Sequence, residues 1–314
     1  MENRLTALIE KRKKFLFYYS PYNYLKAIDP EIQFRILVED KILRFGTTPD
    51  QVMYQIMVNE QTFIFLYQHL EWDSNFLKRN CFKLYTVLYS GEDAPSLIAA
   101  IQHFIKHMVD NSGLYLFIDI PAEDVFLIQC LGYAGFKLTE TRLHYFKDNL
   151  HSFNAERYAV RKASVEEAEV IAQISKLSRN DYDRLHADID FPNEVADEYL
   201  GVYGASAVKG YCEAVLVPDE SGAPLQSFLA ISHLKRDSSL VQCQLARVVL
   251  TAVAPANKGW LKKLVSETIY YAKDIGAAYV LMTTQSTNRA VFRTNEKLGL
   301  QLGGCSHILS FSNQ

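Results

Sequence analysis

The sequence predicts an α/β (α+β) protein made of two related copies of a mixed sheet flanked by helices, and three observations predict it. Residues 250–300 read strand, tight loop, helix, strand, helix. Residues 97–138 run helix, strand, helix and a Gly-apolar strand, the order found again over residues 259–302, and an internal repeat of this kind implies two related domains. A chain of 314 residues, 49% hydrophobic and 22% charged, is long enough to bury two cores.

Charge and composition exclude several classes. A net charge of −3 gives no electrostatic footprint for nucleic acid or a bulk membrane surface. The five cysteines, Cys81, Cys130, Cys212, Cys243 and Cys305, are odd in number and scattered, which favours reduced thiols in a cytoplasmic setting over a disulfide or zinc framework. Lys11-Arg12-Lys13-Lys14 precedes Phe15-Leu16-Phe17-Tyr18-Tyr19, but that apolar run is too short for a signal sequence. No stretch is long and apolar enough for a membrane span.

In chain order, residues 1–70 read as a helical N-terminal extension. Residues 23–70 are rich in aromatic and β-branched types, with breaks near Asp29-Pro30 and Thr47-Thr48-Pro49, and are expected to form helices that pack on the next domain or make a homodimer through it. Residues 71–150 read as a truncated first copy. It starts at Glu71-Trp72-Asp73-Ser74-Asn75-Phe76, with a strand near 82–89 and a helix carrying Leu97, Ile98, Ile101, Ile105 and Met108 on one face. Asn111-Ser112-Gly113 is expected to end that helix. Glu92 and Asp93 stand at its N-terminus, where they complete the helix dipole and would repel a phosphate. His103 and His107, at i and i+4, have no apparent third ligand, so no metal site is expected.

Residues 149–158 are polar and read as the linker to a second copy over residues 155–314. Ser164 with Glu167 three residues later is a capping-box signature. The segment Asp181-Tyr182-Asp183-Arg184-Leu185-His186-Ala187-Asp188 leads to a helix holding Ala196, Tyr199, Tyr203 and Ala207. Strands at 213–217 and 228–233 flank the turn Asp219-Glu220-Ser221-Gly222. Leu250-Thr251-Ala252-Val253 is an apolar run stopped by Pro255, and Ala256-Asn257-Lys258-Gly259 leads into a helix with Leu261, Leu264, Val265, Thr268, Ile269 and Ala272 on one face. Gly276 stops that helix, Asn288 opens another, and Gly299 closes it.

The junction at Gly259 carries the chemistry. Unpaired N–H groups and a partial positive charge at a helix N-terminus hold phosphate when a glycine lets it approach. Lys258, Lys262 and Lys263 add positive charge there, and no acid intervenes before Glu267. The alternative is a solvated basic helix start.

Together these segments resemble the acetyl-CoA-binding half of the GNAT acetyltransferase superfamily. Val253-Ala254-Pro255 matches its Val-x-Pro, Gly259 the central glycine of its phosphate loop, Asn288 its asparagine, and Glu296-Lys297-Leu298-Gly299-Leu300 its closing motif. The resemblance implies tandem GNAT-like sheets, acetyl-CoA as co-substrate without a metal, and a coenzyme site at Ala252, Val253, Lys258, Gly259, Trp260, Leu261, Lys262 and Asn288. Three positions depart from it. Ala256 replaces a basic or amide residue, Leu261 replaces a small one, and Asn295 stands seven residues after Asn288, where many members carry the tyrosine that protonates the leaving thiolate.

Trp72-Asp73-Ser74-Asn75-Phe76, Ile120-Pro121-Ala122-Glu123-Asp124 and the Arg184-x-His186-x-Asp188 segment are similar to the dTDP-fucosamine acetyltransferase family, which acetylates a nucleotide-linked 4-amino-4,6-dideoxygalactose. That resemblance implies a small-molecule amine acceptor, with Arg184 binding substrate, His186 and Asp188 handling the amine and its proton, and Asn295 assisting the leaving group. Another small amine or a peptide is an alternative acceptor, an ion pair is the alternative reading of Arg184 and Asp188, and a non-catalytic GNAT-fold binding protein is the alternative to an enzyme. His233 and His307 rank below these residues.

Overall fold

Helix α1 (Glu2–Leu16) buries Leu5, Leu8, Ile9 and Leu16, a helical spacing, in the computed structural model, which describes residues 2–109 and 113–313. Asp29 caps α2 (Pro30–Gln33), accepting from the N–H groups of Glu31 and Ile32 at 3.0 Å each. The helix continues through a π-wound stretch, Phe34–Glu39, into α3 (Asp40–Arg44). The chain then departs from expectation: β1 (Gln51–Val58) and β2 (Gln61–His69) form an antiparallel hairpin where helices were expected. Val52, Tyr54, Ile56 and Val58 alternate along β1 and pack on a buried cluster, so the aromatic and β-branched composition serves a strand. The turn was hidden because Asn59 and Glu60 adopt φ of 46° and 62° without a glycine.

Next come α4 (Glu71–Leu77), β3 (Asn80–Leu88), α5 (Ala94–Met108), β4 (Leu114–Pro121) and α6 (Val125–Tyr133). Asn111 and Ser112, expected to end α5, lie outside the described residues. Asp93 caps α5 with its own carboxylate, accepting from the Ser96 hydroxyl at 2.7 Å and the Ser96 N–H at 3.4 Å. These elements belong to the first of two structural units, Met1–Thr141 with Cys305–Gln314. Its strands run β1-β2-β3-β4, and β4 pairs on its far edge with residues 306–313 of the last strand of the chain. One face of this sheet buries Phe63, Phe65, Leu84 and Val87 with residues of α5 and α6; the other buries Ile64, Leu66 and Leu88 with residues of α1 and α3. The N-terminal helices are therefore one layer of this unit.

The second unit, Arg142–Gly304, takes in most of β5 (Lys137–Lys147) and then β6 (Val160–Lys162), α7 (Ala168–Leu177), α8 (Asn193–Ser206), β7 (Ala214–Pro218), β8 (Ser227–His233) and α9 (Lys235–Val241). It continues with β9 (Leu245–Val253), α10 (Trp260–Asp274), β10 (Tyr279–Gln285), α11 (Arg289–Lys297) and the start of β11 (Gln301–Asn313). Its strand order is β5-β10-β9-β8-β7-β6. Residues of α10 and α11 pack on one face, around Ala246, Val248, Val280 and Met282, and residues of α7 on the other, around Val215, Val217 and Ala230. The capping box forms as expected at Ser164 and Glu167. Unit 1 lacks a counterpart of β6 among the described residues, so the first copy is the shorter at its front end.

Residues 149–158, expected to be a linker, lie within unit 2 and are pinned there. The Tyr270 hydroxyl donates to the Ala155 carbonyl at 2.7 Å and accepts its N–H at 2.8 Å, while buried Glu267 accepts from the Tyr158 N–H at 2.7 Å and pairs with Arg157. Polar composition suggested a linker because the partners of these residues sit more than a hundred positions away. Among the described residues no helix is long and apolar enough to cross a membrane, and no group of three or more His, Cys, Asp or Glu side chains is placed to hold a metal ion. His107 instead stacks on Tyr54, with ring centres 4.3 Å apart.

One buried ion pair ties the first helix to its sheet. Arg12 of α1, 2% exposed, bonds Asp124, which is fully buried. Removing one partner of a buried pair leaves an uncompensated charge and costs about 3–5 kcal/mol, whereas removing both charges together is often close to neutral. Arg12→Ala is expected to lose about that amount in urea unfolding, and Arg12→Met combined with Asp124→Leu to lose much less. Equal losses in the two variants would mean that the charge pairing itself contributes little.

Candidate active site

β9 and β10 start as parallel neighbours and then separate. Their ladder covers Leu245–Val248 opposite Tyr279–Met282; beyond it β9 stays on β8 as far as Val253, and β10 stays on β5 as far as Gln285. A register shift opposite Ala230 and Ile231 makes Val249 an extra residue in β9, and such a bulge bends a strand and sharpens its twist. The result is a wedge-shaped opening with backbone along one side. Ala252 and Val253 lie on that side, past the last β10 pair.

The chain then passes a short turn, Pro255–Asn257, into α10. Asn257 is buried and donates from Nδ2 to the Pro224 carbonyl at 3.0 Å, which fixes the turn and which sequence spacing does not reveal. Gly259 takes φ 97° and ψ −18°, a left-handed conformation that disfavours other residues. Nothing lies within 4 Å of where its Cβ would be. No side chain caps α10 and no acid lies in its first turn, so its leading N–H groups are left without a side-chain cap.

Around that end the expected residues divide. Lys258 and Lys262 are exposed and have no ion pair among the described residues. Lys263, expected to add charge here, is engaged elsewhere: it pairs with Glu220 at 2.8 Å and lies 4.5 Å from the Trp260 ring centre. Trp260 is itself a core residue and offers only its backbone. Leu261 turns onto the same core cluster, so its bulk is not held in the loop. Asn288 caps α11, accepting the Val291 N–H at 3.3 Å.

Asn295 lies on α11, fully buried, and neither side-chain Nδ2 nor Oδ1 has a hydrogen-bond partner. Buried polar groups are nearly always paired, because an unmet amide forfeits its hydration with nothing in exchange. Such an orphan calls for a physical reason.

The loop between α7 and α8 holds the other expected residues, and the structure shows what each of them bonds. Asn180 donates to Gln285 Oε1 at 2.7 Å, anchoring the start of this loop to the end of β10, on the rim of the wedge. The His186 side chain is buried, with Nδ1 2.7 Å from Asp183 and Nε2 3.0 Å from Asp197; Asp197 is also gripped by Arg179. Burial by itself disfavours the charged ring, but the two carboxylates outweigh it and raise the pKa. Both ring nitrogens are engaged, so His186 in this arrangement clamps Asp183 to Asp197. Asp188 is 1% exposed and accepts the Asp190 N–H at 3.2 Å, which removes it from contact with a solvent-borne amine. Arg184 donates to the Tyr199 hydroxyl at 3.3 Å. His233 and His307 bond Gln244 and Thr141.

The clamp has a definite pH sign. A histidine whose folded pKa lies above its unfolded value of about 6.5 contributes stability that is complete below that value and is lost as pH rises through the raised folded pKa. The stability difference between wild type and His186→Gln is therefore expected to be largest in mild acid and to shrink as pH rises above about 6.5. Thermal unfolding across that range measures it, and a difference that grows with pH would contradict the clamp.

No family model matches the chain, and no curated protein matches its sequence. Solved structures do resemble it. A conserved protein of unknown function from Staphylococcus epidermidis aligns with TM-score 0.54 and 13% identity over 83% of this chain and 95% of its own. A GCN5-related N-acetyltransferase from Sphaerobacter thermophilus aligns with TM-score 0.51 and 8% identity over 87% of this chain and 85% of its own. At such identities the likeness is one of fold, and it extends over both units: the chain has a tandem GNAT-like fold, mixed α/β sheets flanked by helices.

Proposed function

We propose that unit 2 binds acetyl-CoA and acts as an N-acetyltransferase. The observation that carries this reading is the uncapped, acid-free N-terminus of α10, opened by Gly259 beside the wedge between β9 and β10. Bound acetyl-CoA supplies an activated acetyl thioester. The N–H groups at residues 259–262, with the charges of Lys258 and Lys262, suit its pyrophosphate, the Lys258 N–H being taken by the Pro255 carbonyl at 3.2 Å. The backbone around Ala252 and Val253 suits the thioester arm, where N–H donors aimed at a developing oxyanion are usually the largest catalytic contribution. Asn295 contributes an amide that no other group engages. His186, Asp183, Asp197 and Arg179 hold the acceptor loop in shape.

For the acceptor we propose a nucleotide-linked amino sugar, on the similarity of the 72–76, 120–124 and 184–188 segments to the dTDP-fucosamine acetyltransferases. Other small amines and peptides are the competing acceptors. Thiol release assayed over a panel of such amines separates them, and turnover of peptides with none of nucleotide sugars would overturn the choice. One pair of observations favours a non-catalytic binder instead: tyrosine is replaced by Asn295, and His186 is committed to its clamp.

Direct binding decides between these readings. Acetyl-CoA at about 100 times its dissociation constant is expected to stabilise the protein by roughly 2.7 kcal/mol, visible as a shift in melting temperature. Gly259→Glu is expected to abolish the shift and Gly91→Glu to preserve it. No shift and no calorimetric heat with wild type at millimolar acetyl-CoA would sink the enzyme reading. A second test uses the orphan amide. Leaving a buried group unsatisfied costs about 1–3 kcal/mol, so Asn295→Leu is expected to raise stability or leave it unchanged while slowing acetyl transfer about tenfold or more. A variant that loses stability and keeps full activity would show that Asn295 is only a packing residue.

A further inference from the structure

Unit 1 contains a wedge of the same construction. β3 and β4 pair in parallel over Asn80–Leu84 and Leu114–Ile118; beyond that β3 stays on β2 and β4 stays on β11. A register shift between Leu66 and Tyr67 makes Tyr85 an extra residue in β3, as Val249 is in β9. This wedge is filled.

The side chain that fills it is Arg12. Its Nη1 donates to the Thr86 hydroxyl at 3.1 Å and to the Val87 carbonyl, both past the last β3–β4 pair. Its Nη2 donates to Asp124, which directly precedes α6 just beyond the end of β4. The Tyr19 hydroxyl donates to the same Asp124 oxygen at 2.7 Å, and the guanidinium carbon lies 4.4 Å from the Tyr89 ring centre. Arg12 Nε and Asp124 Oδ1 have no hydrogen-bond partner, so the fit is that of a resident and not of a fully matched core network.

A carboxylate, a carbonyl and a hydroxyl in reach of one planar fork, with an aromatic face beside it, are the elements that recognise a guanidinium. We propose that the wedge of unit 1 is a preformed site for a planar guanidinium or amidinium cation, occupied in the native protein by Arg12 of the chain itself. The N-terminal helix thereby serves as an internal ligand. It closes to any thioester arm the opening that unit 2 leaves free, and the carboxylate of Asp93 at the start of α5 closes the phosphate end.

The proposal is tested by taking the resident out and offering a substitute. Arg12→Gly is unfolded thermally in low-millimolar guanidinium chloride, far below denaturing levels, and in matched sodium chloride. Guanidinium is expected to raise its melting temperature saturably by about 2–4 °C, an increment typical of one restored interaction in a unit of this size. Wild type, with the site filled, should show no rise, and neither should Arg12→Gly combined with Asp124→Asn. Folded Arg12→Gly with the same melting temperature in both salts overturns the proposal. Should the variant not fold unaided, the comparison becomes refolding yield from urea: recovery with guanidinium and not with sodium supports the site, and equal yields, including none, overturn it.

Discussion

The fold depends on how far two parallel strands are allowed to stay together. In each unit the central pair holds for only a few residues, β3 with β4 and β9 with β10, before a bulged strand bends away and each partner remains held on its outer edge. Backbone groups along an opened edge need partners, because a buried peptide without one costs as much as a lost hydrogen bond. Each unit meets that demand differently. Unit 1 supplies the forked side chain of Arg12, which takes the Val87 carbonyl and carries its charge to Asp124. In unit 2 the opening between β9 and β10 is where the proposed coenzyme site lies.

The same division recurs at the helix that follows each wedge. Asp93 caps α5, accepting the Ser96 N–H and placing a negative charge at the positive end of the helix dipole. Gly259 begins α10 with a left-handed backbone and no side chain at all. Two helices of the same length and place in the order thus differ in what their N-termini attract. Position in the fold is shared, and side-chain chemistry at the helix N-terminus differs between the two copies.

On the far side of the wedge, the loop between α7 and α8 buries Leu185 and Phe191 and is stiffened as well by a network of charges. Asp197 bonds both Arg179 and His186, Asp183 bonds the other His186 nitrogen, and Asn180 ties the loop to Gln285. Exposed Tyr182 and Ile189 are presented from this framework. His186 is held between two carboxylates that raise its pKa, which gives this part of the loop a sensitivity to pH.

Elements whose signals are local were legible from the residues alone. The helical spacing of Leu261 to Ala272, the glycines at 259, 276 and 299, the Ser164–Glu167 box and the acid at Asp93 all act within one or two turns of chain, and each is found where the spacing places it. Features with partners far away in sequence emerged only once the chain was folded. Arg12 looked like one member of a basic run until Asp124, 112 positions on, was brought to it. His186 looked like a free base until Asp197 closed its second nitrogen, and Lys263 looked like a phosphate ligand until Glu220 claimed it. The hairpin at 51–69 escaped for a related reason: a strand is defined by its neighbours, and aromatic, β-branched residues show which face is buried only once a sheet is there to receive them. Residue type and spacing fix local conformation, whereas the state of a charge follows from whatever the fold sets beside it.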